Sequence, residues 1–193
     1  MAGHGILVGL AGCLIGVLLN GQARGELSRD HFWDVRAAPS PDKWSWFRHA
    51  PPNERALIWG QTNRAGFRFL DWAWQWRIGW VQVCATDPLP ACPGILWEGL
   101  VDKALLVRSE AATAIGERFA GTANSEAIRH LSVAFALKSN FRHDQPLIAY
   151  RTVLFALHRI GGKNSLAEGL RLAERHVEAK AYWKKLVSGA KRG

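Results

Sequence analysis

The sequence predicts an all-α protein: an N-terminal transmembrane or signal helix followed by a compact bundle of about five to seven helices. Three observations carry this. Residues 1–23 hold no charged side chain, and residues 5–19 are continuously apolar. Beyond them Ala and Leu outnumber Val and Ile more than two to one, a bias that favours helix over strand. Helix punctuation by Ser, Asn, Pro and Gly recurs along the rest of the chain. The 193 residues suffice for one ordinary domain. They divide as an anchor or export signal (1–23), a Trp-containing connector of short helices (24–64) and a helical domain with a basic last helix (65–193).

The first segment has two readings. About twenty residues rising 1.5 Å each cross a hydrocarbon layer of about 30 Å. Gly5, Gly9, Gly12 and Gly16 fall on one helical face, where missing side chains would let another membrane helix approach. This favours a retained, helix-packing anchor. The alternative is a cleaved signal, with Gly21 and Ala23 in cleavage register before Arg24. Arg24, Arg29 and Arg36 after the segment would hold that side in the cytoplasm or matrix. Cys84 and Cys92 bracket a proline-rich loop short enough for a disulfide, which instead needs an oxidising compartment. The reading leans to a single-pass protein whose body lies on the oxidising side.

Next, Ser40-Pro41 suits an N-cap with proline at the first helical position, and Pro51-Pro52 should end that helix. Asn53 is expected to cap the following one through Trp59. From 64 to 86, Phe69, Trp72, Trp76, Trp80 and Val83 make a helical apolar stripe. After the cysteine loop one long helix is expected over 95–119, broken by Gly121. Asn124 or Ser125 should start another. Residues 146–160 read as a core helix, too short for a membrane span, stopped by Gly161-Gly162. Ser165 and Glu168 have capping-box spacing, and the last helix is expected to run from there to about Val187.

Nine of the ten tryptophans lie between Trp33 and Trp97. Fully burying so many indoles asks for an acceptor for every N–H. The expectation is therefore an aromatic surface at the membrane interface or against a partner, centred on Trp72, Trp74, Trp76 and Trp80 and interleaved with Arg48, Arg55, Arg64, Arg68 and Arg77. The net charge of +9 comes from the last third, and after Glu178 the chain holds Lys180, Lys184, Lys185, Lys191 and Arg192 with no acid. Such an end attracts anionic lipid or another anionic partner.

The three cysteines are too few for a disulfide-stapled miniprotein or a four-thiolate zinc site. No glycine-rich nucleotide loop, HExxH pair, GxSxG elbow or CxxCH haem site occurs. The seven histidines are dispersed, and no cofactor, metal, catalytic residue or small-molecule substrate is indicated. His158 and Arg151 share a helical face, which reads as a hydrogen-bonded core histidine or a small polar pocket.

These features together suggest a non-catalytic, membrane-anchored accessory subunit of a larger membrane assembly, such as an envelope transport or energy-transducing complex, in contact with lipid and with other subunits. One alternative is a basic nucleic-acid-binding helical protein that combines the aromatic region with the last helix. A second is a periplasmic peptidoglycan hydrolase acting through Glu117.

Overall fold

The computed structural model describes residues 34–143 and 145–189. The anchor segment with Gly5, Gly9, Gly12 and Gly16 therefore lies outside the described residues, as do Lys191 and Arg192. Among the described residues there are nine α-helices, and none is long and apolar enough to cross a membrane.

The nine are α1 (Pro41–His49), α2 (Pro52–Arg64), α3 (Trp74–Val83), α4 (Cys92–Leu100), α5 (Leu105–Arg118), α6 (Ser125–Phe135), α7 (Ile148–Ile160), α8 (Gly162–Ala173) and α9 (Val177–Gly189). A two-residue antiparallel ladder, β1 (Phe141–Arg142) with β2 (Gln145–Pro146), joins α6 to α7. The described residues from Val35 to Gly189 belong to one compact unit. In it Trp44 and Phe47 of α1 pack on Trp76 of α3 at ring distances of 6.2 and 5.7 Å.

Local caps behave as the side chains dictate. Ser40 Oγ accepts the Lys43 N–H, Asn124 Oδ1 accepts the Ala127 N–H, and Gly161 ends α7 with φ +68°. Asn53 caps nothing; α2 starts at Pro52, before it.

Three expected helices are cut by distant partners. The stripe from Phe69 is a 3-10 turn (Phe69–Asp71), then extended backbone at Trp72, and α3 begins only at Trp74. There the Ala73 N–H donates to Val35 O, and Arg77 donates to Trp72 O. The long helix over 95–119 splits at 101–104. Asp102 accepts the Ala104 N–H at 2.7 Å and both forks of Arg77, while its carbonyl accepts from Arg108. The capping box at Ser165 is absent as well. α8 has already begun at Gly162, and the buried Ser165 hydroxyl donates back to Leu157 O at 2.7 Å. Glu168 pairs with Arg171 instead, and the chain turns at 174–176 before α9.

Candidate functional site

The aromatic region is a core with one open edge. Trp72, Trp76 and Trp80 are 2%, 2% and 1% exposed, so three of the four tryptophans expected at a surface are interior; Trp74 alone of the four is exposed, at 46%. The buried rings meet others edge-on or tilted: Phe47 lies 5.0 Å from Trp80, and Trp59 lies 5.4 Å from Trp72 and 5.2 Å from Trp80. The reason for the correction is one of magnitude. Burying an indole of 150–250 Å² gains roughly 4–6 kcal/mol. A missing hydrogen bond costs about 1–3 kcal/mol. Among the described residues Trp72 Nε1 has no acceptor, and burial still wins.

Buried arginines hold this half in place. Arg77, 1% exposed, grips Asp102 through Nε and Nη2 at 2.6 and 2.9 Å. Arg55 Nε donates to Asp87 at 2.8 Å. Arg118 donates to the carbonyls of Cys84 and Asp87. Arg108 reaches Asn140 and Ser139 O across the bundle. Hence Arg55 and Arg77, which the sequence grouped with an exposed aromatic surface, are internal ties. Cys84 and Cys92, both fully buried, form a disulfide that closes the loop these arginines hold, with Cα atoms 5.0 Å apart.

On the outer side of the cluster opens a groove of about 700 Å³. Trp59, Phe67, Phe69 and Leu70 form its apolar wall, and Asn63, Arg68 and Glu98 its polar margin. Three elements build it: α2 supplies Trp59, the 3-10 turn Phe69 and Leu70, and α4 Glu98. Arg68 forms an exposed ion pair with Asp71 at 3.0 Å, which pulls the Asp71 carboxyl below its ordinary range. Partial burial raises the Glu98 carboxyl above its ordinary range, opposed by the charge of Arg68. The sequence places Trp59 in a helix and Arg68 among the arginines interleaved with the tryptophans, and it gives no sign of Phe67, Leu70 and Glu98 as their neighbours. No spacing rule brings these together, because they come from separate elements.

The chain matches no family model, no curated protein and no solved structure.

Other expected residues fall elsewhere. Glu117 is exposed on α5. Arg151 is exposed and donates to Tyr150 Oη at 3.0 Å, whereas His158 is half-buried and edge-on to Trp183, so the two do not line a common pocket. His130 stacks flat on Trp97 at 4.5 Å, and Trp97 stacks in turn on Phe119. Burial in that stack and the neighbouring Arg129 lower the His130 pKa. Among the described residues no three of His, Cys, Asp and Glu gather as a metal site. Lys180, Lys184 and Lys185 are all exposed on α9.

Proposed function

We propose that this chain is a non-catalytic accessory subunit of a membrane assembly, and that its body holds an apolar segment of a neighbouring subunit in the groove beside Trp59. The observation that carries the reading is the groove itself. Leu70 is exposed there beside the half-buried rings of Trp59 and Phe67, on a wall that the tryptophan core braces from behind, and a guanidinium and a carboxyl at its margin can set the orientation of a bound segment. The uncharged first 23 residues with their glycine face support attachment to a bilayer, beside another membrane helix. A body on the oxidising side fits the disulfide.

The test is the native mass of the purified full chain with its co-purifying chains, compared with that of Leu70→Glu and Glu98→Arg. Leu70 is partly exposed in the groove, so a charge there should expel an apolar segment and leave the fold intact. Loss of partner chains with an unchanged melting curve is the expected result. A complex of unchanged mass in both variants would sink the reading.

A further inference from the structure

We infer that the α8–α9 hairpin is a membrane-facing surface, and that this face of the body rests on a bilayer containing anionic phospholipid. The inference goes beyond the partner groove and depends on different residues.

α9 buries one side only, through Ala179 and Trp183. Its opposite side carries Val177, Lys180, Ala181, Lys184, Lys185 and Ser188, spaced by three and one, and all are exposed. Three lysines share that stripe with no carboxylate. α8 supplies the apolar part. Leu166 and Leu170, one turn apart, are 39% and 46% exposed. They lie on the flank of α8 that includes Gly169, and Gly169 faces α9: a Cβ there would overlap the Trp183 ring. Glu168 projects from the other flank of α8 towards Ser132 of α6, and it is neutralised by Arg171. Of the remaining acids of the hairpin, Glu174 lies at the α8–α9 turn, and Glu178 borders the stripe on the side of Lys185, where its charge also acts on Arg151.

Two exposed leucines beside three lysines fit the boundary between head groups and acyl chains. The leucines can enter the apolar layer while the ammonium groups stay among phosphates. Nucleic acid suits the same lysines but gives the leucines no partner, and it would want an exposed aromatic ring for stacking. The aromatic side chains of the hairpin are half-buried Tyr182 and buried Trp183. Each lysine near an anionic surface contributes about a fivefold gain in binding.

The experiment uses the full chain with a Cys13→Ser background and a polarity-sensitive fluorophore at Leu170→Cys, or at Ser45→Cys on exposed α1 as the control. Vesicles are phosphatidylcholine with or without phosphatidylglycerol. The expected result is a blue shift at position 170 only, only with phosphatidylglycerol, reversed by salt. It should be lost when Lys180, Lys184 and Lys185 are all changed to Gln, with the melting curve kept. Equal shifts at both positions, a shift indifferent to phosphatidylglycerol, or the same shift produced by an oligonucleotide without vesicles would each overturn the proposal. Alkaline carbonate extraction, run on the same samples, reports separately on the anchor: a chain that resists extraction yet shows no shift at 170 loses this face and keeps the anchor.

Discussion

The two halves of the body solve the packing problem with opposite materials. From α1 to α4 the core is made of rings, with Phe47, Phe69, Trp72, Trp76 and Trp80 packed edge-to-face on helices of 9–13 residues. From α5 to α9 it is mainly aliphatic, with Ile115, Leu131, Leu154, Leu157 and Ile160 fully buried and two close approaches at glycine. Gly116 of α5 leaves room for Ala156 of α7, where a Cβ would meet a Cα at 2.8 Å, and Gly169 leaves room for Trp183. Large rings fill volume but leave backbone turns between short helices unsatisfied, so the first half needs charged ties and a disulfide. In the second half a buried arginine tie runs from Arg108 of α5 to Asn140 and Ser139 O, and the Glu168–Arg171 ion pair is at the surface.

The comparison can be broken at its most expensive point. Asp102→Ala strands the buried Arg77 guanidinium and should cost about 3–5 kcal/mol in denaturant unfolding. Replacing Arg77 and Asp102 together by Met and Leu should recover most of that loss. If the single change costs under about 1 kcal/mol, the claim that charged ties hold the ring half fails. Second in size is the disulfide. Changing Cys84 and Cys92 to Ser opens a short loop and should lower stability by about 2.5 kcal/mol, with the same loss on reducing the wild type.

In the other half, Gly116→Val drives a branched side chain into the α7 backbone and should cost about 1–3 kcal/mol, read from the shift in the urea midpoint. A tolerated valine would mean that the two helices are not in the close contact described. The smallest effect is electrostatic. The folded-state pKa of His130 is lowered, so the unfolded chain binds its proton more readily. Its contribution is complete above the unfolded value of about 6.5 and is lost as the pH falls through the lower folded value. His130→Gln should flatten that part of the stability profile, and an unchanged profile would argue against the Trp97 stack as its cause.

Legibility followed the range of the interaction. The caps at Ser40 and Asn124 and the stop at Gly161 could be read directly, since each depends on groups within four residues of one another. The chain breaks at 72–74 and 101–104 could not. Arg77 and Asp102 cause both, and they are 25 residues apart. Periodicity selected Trp72, Trp76 and Trp80 as one set, but the number of indoles assigned that set to a surface, whereas all three are buried. Burial was decided by Phe47 on α1 and Trp59 on α2, which cover the rings from elements far away in sequence. The groove was out of reach for the same reason, its wall being assembled from α2, the 3-10 turn and α4.

The sequence alone therefore determined the helical class, the short-range caps, the proximity of Cys84 to Cys92 and the lysine stripe of the last helix. All of these depend on composition or on separations of a few residues. Only the tertiary structure decided which tryptophans are interior, where the long helices break and where an apolar wall stays open. Those outcomes are set by pairs of groups that meet only when the chain has closed on itself, and a pattern along one element carries no information about what will cover it.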